Sequence, residues 1–153
     1  MGERDKLASV QIAPHLAYWY DSELQNGGHL QYFLNRGIVE AREALDALTL
    51  LGASNQRRVL ENAIEAYDQS GIDDKKPDTV DEYCNIALEE HFDELDSEYY
   101  DCTPDMTELL RCYLEAHVDD FIEFTDEQVW DPYELPWHTK LRFRIRRFFG
   151  LMP

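Results

Sequence analysis

Basic side chains are what this sequence is shortest of: 14 Lys and Arg stand against 32 Asp and Glu in 153 residues, a net charge of −18. A surface so poor in cations cannot neutralise phosphates over a large area, which excludes DNA, RNA or an anionic membrane as a ligand of the bulk surface. Cysteine is also sparse. Cys84, Cys102 and Cys112 are an odd number with no Cys-x-x-Cys pair, so reduced thiols are expected rather than a disulfide framework or a zinc knuckle. No apolar run approaches the roughly 18 residues that cross a bilayer. The start, Met1-Gly2-Glu3-Arg4-Asp5-Lys6, lacks the basic-then-apolar order of a secretion signal, so a cytoplasmic location is expected. A phosphate loop, a Gly-x-Ser-x-Gly elbow, a Cys–His signature and a dinucleotide fingerprint are all missing, and no enzyme is expected.

What is present is a series of helical stripes with short links, and strand alternation does not appear in the first 130 residues. The expected fold is a compact all-α domain of about six or seven helices. The first runs from Glu3 to Ile12, is broken or kinked at Pro14, and resumes over His15–Leu24 with Leu16, Trp19 and Tyr20 inward. Asn26-Gly27-Gly28 makes a tight corner, because Asn and Gly tolerate the left-handed backbone that closes a helix. Gly37 ends the short helix that follows. Ala41, Ala44, Leu45 and Leu48 mark another that stops at Gly52, and Val59, Leu60, Ala63, Ile64 and Tyr67 one capped by Ser54 and closed by Gly71. Thr79-Val80-Asp81-Glu82 has capping-box form and opens a helix to Tyr99, while Thr103-Pro104 opens the next. That helix buries Met106, Leu110, Tyr113, Leu114, His117 and Phe121. Around the corner, Gln25, Asn26, Gly27, Gly28, Gln31, Tyr32 and Asn35 form either a hydrogen-bond network or a small polar binding pocket.

The charge is unevenly spread. Residues 1–72 carry 10 acids and 6 Lys or Arg, residues 73–134 carry 22 acids and 3, and residues 135–153 carry no acid and 5. At 100° per residue Glu82, Asp93 and Asp96 fall within about 40° of Glu89, a straight row roughly 21 Å long. Val80, Cys84, Leu88, His91, Leu95 and Tyr99 fall opposite. Glu90, Glu94 and Asp101 form a second row, and Glu108, Glu115, Asp119 and Glu123 line up on the next helix, with Asp126, Glu127, Asp131 and Glu134 following. Two antiparallel helices side by side would present parallel lines of carboxylates. Like charges at helical i, i+4 spacing cost a few tenths of a kcal/mol each. Either the face is a solvated surface that serves solubility, or it serves a cationic groove that otherwise holds nucleic-acid phosphates.

His91 with Glu94 and His117 with Asp120 have i, i+3 spacing, but carboxylate-bridged metal bundles use Glu-x-x-His, which is missing here; both histidines project onto apolar faces, and no cofactor or metal is expected.

The segment Glu23-Leu24-Gln25-Asn26-Gly27-Gly28-His29-Leu30-Gln31-Tyr32-Phe33-Leu34-Asn35, then Ala44-Leu45-Asp46-Ala47-Leu48 leading to Gly52-Ala53, then Phe92-Asp93-Glu94-Leu95-Asp96-Ser97-Glu98-Tyr99-Tyr100, resembles a bacterial family of small acidic helical proteins whose best-known type is a DNA mimic. The resemblance covers roughly residues 15–125. It implies an all-α fold, a homodimer and, for the type member, acidic side chains that imitate DNA phosphates on a transcription factor. A cationic DNA-binding protein is therefore the expected partner, with Asp126 and the acids of the rows above as its contacts. The alternative is a scaffold or polar-pocket role around Asn26–Asn35. Residues 1–134 read as the acidic domain and 135–153 as a basic, aromatic tail. In that tail Lys140-Leu141-Arg142-Phe143-Arg144-Ile145-Arg146 alternates as an edge strand would, or forms an amphipathic helix, covering the domain or shielding the acidic face.

Overall fold

Residues 7–72, 77–89 and 91–121 are described by the computed structural model. They form six helices and no strand: α1 (Ser9–Leu50), α2 (Ser54–Ser70), α3 (Val80–Ala87), α4 (Asp93–Tyr100), α5 (Met106–Ala116) and α6 (Val118–Phe121). The fold is all-α, as the stripes require. The start of the chain before residue 7, Glu90, and everything after 121, including Glu123, Asp126 and the basic tail, lie outside the described residues. None of the described helices is long and apolar enough to cross a membrane.

Glycine divides α1 into three runs. Gly27 and Gly28 leave helical dihedrals, Gly28 at φ +71°, and Gly37 does so again at φ +77°. Side chains with a Cβ rarely enter that region. The corner is therefore where the Gly-Gly pair puts it. Pro14, by contrast, does not break the helix, which begins at Ser9 and continues through it. A proline in that position cannot donate to the carbonyl four residues back. That carbonyl, on Val10, instead accepts the hydroxyl of Tyr113 from α5 at 3.1 Å.

Helix α2 buries Val59, Leu60, Ala63, Ile64 and Tyr67 and ends at the left-handed Gly71. Its N-cap is Ala53, with Ser54 the first helical residue rather than the cap. Thr79 caps α3 by accepting the Glu82 N–H at 3.2 Å, and the Glu82 carboxylate reaches back to the Asp78 N–H at 2.8 Å.

The helix expected to continue to Tyr99 stops at Ala87 and restarts at Asp93. Ile86 and Phe92 explain the break: both are buried, yet six residues apart on one helix they would point about 120° away from each other. Leaving the helix between them lets both reach the core, and it separates Glu89 from Asp93, which would repel at i, i+4. The expected apolar face is accordingly wrong in part. Val80 and Leu88 are each 77% exposed, and Cys84 and His91 also face solvent, whereas Tyr99 is buried.

Helix α5 starts two residues beyond Pro104, capped by Asp105, which accepts the Glu108 N–H at 2.8 Å. Asn55 and the buried Gln56 on α2 donate to the carbonyls of Thr103 and Pro104 and fix that link. Met106 and Leu109 are buried, Leu110, Tyr113, His117 and Phe121 are half-buried, and Leu114 is mostly outside. Helices α4 and α5 each pack on α1, with α4 also on α2, so the two acidic helices do not lie side by side as expected. The core between them holds Tyr20, Leu24, Tyr32, Phe33, Leu48, Leu60 and Ile72, all fully buried.

Candidate functional site

A helix that stops and restarts leaves orphan amides and carbonyls, and at the Gly27–Gly28 corner α4 supplies partners for both. The His29 N–H, at the start of the new run, donates to Asp96 Oδ1 at 2.9 Å. The Leu24 carbonyl, at the end of the old run, accepts the Tyr100 hydroxyl at 2.8 Å, and Tyr99 donates to Asp21 at 2.7 Å. The His29 ring extends this lock inward. Its Nδ1 lies 2.5 Å from the same Asp96 oxygen, and its Nε2 lies 2.9 Å from the hydroxyl of Tyr20. A carboxylate only accepts, so Nδ1–H donates to Asp96, and Nε2 shares a hydrogen bond with the Tyr20 hydroxyl. Burial, then the neighbouring Tyr99 and Tyr32, push the Tyr20 phenol well above its ordinary range. It stays neutral. Asp96 is thus the anchor of α4 and not a member of an outward row.

On the other side of the corner the amides converge on Glu23. Its Oε2 accepts from Gln31 at 2.9 Å and from Asn35 at 2.8 Å, and its Oε1 faces Arg36 at 3.4 Å. Arg36 also lies 3.7 Å above the Trp19 ring. Burial works to raise the Glu23 carboxyl, but the two amide hydrogen bonds and the guanidinium outweigh it and hold it below the ordinary glutamate value. Of the residues expected to form a polar pocket, Gln31 and Asn35 are thereby consumed in an internal network. Gln25 and Asn26 face solvent, and Tyr32 sits in the aromatic core against Tyr20 and Phe33. The Tyr32 hydroxyl has no hydrogen-bond partner among the described residues.

The surface of α3 to α6 is where charge accumulates. Between residues 77 and 121 there are 15 acids and one cation, Arg111. That arginine pairs with Glu108 and Glu115 on its own helix. Glu98 is paired from outside, by Arg58 at 2.7 Å, and Glu89 lies 2.8 Å from His91. Asp81, Asp93, Glu94 and Asp101 are exposed and form no ion pair among the described residues. On α1 and α2 cations are interspersed with the acids: Arg42 pairs with Asp68, Arg57 with Glu61, and Arg36 with Glu23 and Glu40, while Asp46 and Glu65 form no ion pair among the described residues.

A family model described as DMP19-like protein matches residues 5–117. The chain belongs to the DMP19-like family. This is the DNA-mimic family that the Gln-Asn-Gly-Gly segment resembles. No curated protein and no solved structure matches the chain.

In this DMP19-like chain the expected acidic contacts divide three ways. Glu82, Asp93, Glu94, Asp101, Glu108 and Asp119 are exposed, with Glu89 beside His91 and Glu115 half-buried beside Arg111. Asp96 turns inward, and Glu90, Glu123 and Asp126 lie outside the described residues. The 21 Å row through Glu82, Glu89, Asp93 and Asp96 is not a row, because the helix that would have aligned it is interrupted at 88–92. His117 donates Nδ1–H to the Tyr113 carbonyl at 2.9 Å, and among the described residues no group of three or more His, Cys, Asp and Glu side chains converges on a metal-sized site. Sequence reasoning missed Glu23, His29 and Tyr20. A signal for them existed: a histidine directly after a Gly-Gly corner, and a lone glutamate one helical turn or more from two amides and an arginine on the returning run.

Between the corner and the α3–α4 link lies a small cleft lined by Gly27, Leu30, Tyr83, Ile86, Ala87, His91, Phe92, Asp93 and Asp96, with about 80 Å³ of room.

Proposed function

We propose that the chain is a non-catalytic DNA mimic that uses the exposed carboxylates of α3 to α6 to occupy the DNA-binding face of a cationic protein such as a transcription factor. The observation that carries this reading is the one-sidedness of that surface: 15 acids against Arg111 alone, with Asp81, Asp93, Glu94 and Asp101 forming no ion pair among the described residues, whereas α1 and α2 set Arg36, Arg42, Arg57 and Arg58 among eight acids. Self-repulsion of this kind is costly to keep on a surface that only has to be soluble. Its density suits the role. Five acids over the nine residues 93–101 give about one carboxylate per 2.7 Å of helix axis, and the three unpaired ones about one per 4.5 Å, bracketing the ~3.4 Å per phosphate of one DNA strand.

Family membership supports the same reading. Dimerisation belongs to the proposal, with Val39 and Leu50, 72% and 68% exposed on one face of the last run of α1, as the apolar surface available for it. Reversing Asp93, Glu94 and Asp101 to Lys together should abolish capture of the cationic partner while the helical circular dichroism spectrum stays that of the parent. Undiminished capture by the folded triple variant would remove this surface from the reading.

A further inference from the structure

The cleft beside the corner is too small for a substrate or cofactor. Its roughly 80 Å³ is several times the ~10–15 Å³ that admits a water and well below the ~300–1,000 Å³ of ordinary small-molecule sites. It is the size of the end of one long side chain. Its chemistry is divided in the same manner. Leu30, Ile86 and Phe92, all buried, form an apolar floor, and the half-buried Tyr83 ring adds a wall. Asp93 and Asp96 stand one helical turn apart on α4 and are both lining residues, and His91, whose Nε2 lies 2.8 Å from the Glu89 carboxylate, completes the rim. Asp93 is exposed and unpaired among the described residues, and Asp96 spends only Oδ1 on His29.

An apolar, aromatic floor under two carboxylates suits a group that is flat, weakly hydrated and cationic. A guanidinium answers all three, since it stacks on rings and forks onto carboxylates, whereas an ammonium is compact and strongly hydrated. We infer that this cleft receives a single arginine side chain of the partner, an anchor within the acidic surface. The inference rests on the mimic reading and assigns it a point of insertion. Buried arginines at such points supply a disproportionate share of binding energy, while surrounding charge pairs mainly speed encounter. The lock at Asp96 gives the cleft its shape. Because α4 is tied to the corner by Asp96, Tyr99 and Tyr100, the helix that carries both acids is held in place before any partner arrives.

The test needs no partner. Capped arginine, Nα-acetyl-arginine methylamide, is titrated into the ¹⁵N-labelled full chain at fixed ionic strength, with the capped citrulline analogue, uncharged and nearly the same shape, as control. The expected result is saturable shifts confined to the amides of Gly27, Leu30, Ile86 and Phe92, with none from citrulline. Asp93→Asn should weaken the arginine titration about three- to fivefold, the scale of one exposed charge pair. Ala87→Phe should abolish it, because Ala87 is an exposed residue at the end of α3 that itself lines the cleft, so that a ring there takes up its room without removing a buried side chain or a carboxylate. Equal shifts from citrulline, non-saturating shifts spread over all the acids, or an unchanged titration in Ala87→Phe would each overturn the inference. The mimic reading fails differently: it falls if the parent captures no cationic partner, and it survives an empty cleft if Ala87→Phe captures that partner as well as the parent does.

Discussion

Replacing Asp96 by Ala removes the one acceptor shared by two donors of a residue with no solvent exposure. His29 is 0% exposed, and both its backbone N–H and its Nδ1–H lie within hydrogen-bond distance of Asp96 Oδ1, at 2.9 and 2.5 Å. A buried donor left without a partner costs about 1–3 kcal/mol. Asp96 itself keeps 26% side-chain exposure, so water reaches one side of the gap and the lower half of the combined range applies, about 2–4 kcal/mol. For a domain of this length each kcal/mol corresponds to roughly 2–4 °C in Tm, so a fall of about 5–15 °C is expected. Urea unfolding followed by circular dichroism, and calorimetry, measure it. Asp93→Ala is the matched control. Asp93 is exposed, unpaired and three residues away, and its loss should change stability by less than about 0.5 kcal/mol. The reasoning is refuted if Asp96→Ala stays within that margin, or if the two substitutions cost the same.

Gly28→Ala should cost at least about 2 kcal/mol, combining the 1–2 kcal/mol of a left-handed backbone with a Cβ driven into the Asp96 carboxylate. Gly37→Ala, at a similar φ with nothing near its Cβ, should lose only the backbone part, and equal urea midpoints for the two would show that no clash exists. Glu23 has a folded pKa below its ordinary value of 4.5, so its stabilisation is present above about pH 4.5 and is lost as pH falls through the lower folded value. The stability gap between the parent and Glu23→Gln should therefore shrink on acidification in that window, and a gap that widens would contradict the assignment. Tyr113→Phe should cost about 0.5–1.5 kcal/mol by leaving the Val10 carbonyl, already without a helical donor because of Pro14, with no partner. An unchanged urea midpoint would mean that the hydroxyl contributes nothing there.

Local chemistry was legible in the sequence wherever it acts over a few residues. Gly28, Gly37, Gly52 and Gly71 all take positive φ and stand where helical runs turn or end, and Thr79 caps as its spacing to Glu82 requires. What was not legible depends on contacts far apart along the chain. The tie between His29 and Asp96 spans 67 residues, and that from Tyr113 to Val10 spans 103. The first turned an apparent surface acid into an anchor, and the second let Pro14 sit inside a helix. The break at 88–92 has no Gly or Pro to announce it, because it arises from the need of Ile86 and Phe92 to reach one core. Periodicity alone extended the helix and drew a straight line of carboxylates through the gap. The acidic character of the surface survived that error, since charge counted along the sequence does not depend on where a helix is interrupted. The pocket suspected at Asn26–Asn35 did not, since Glu23 takes up its amides.

The central claim is that the α3–α6 surface takes the place of DNA on a cationic protein, and a competition measurement addresses it most directly. The immobilised full chain is exposed to lysate of its source cell at low salt, and the retained protein is challenged with duplex DNA and, separately, with a salt gradient. The account predicts a DNA-binding protein that duplex DNA displaces and whose affinity falls steeply with the logarithm of salt concentration, with Asp93, Glu94 and Asp101 reversed to Lys retaining none of it. Retention of no cationic protein, or of one that DNA does not displace, would contradict it.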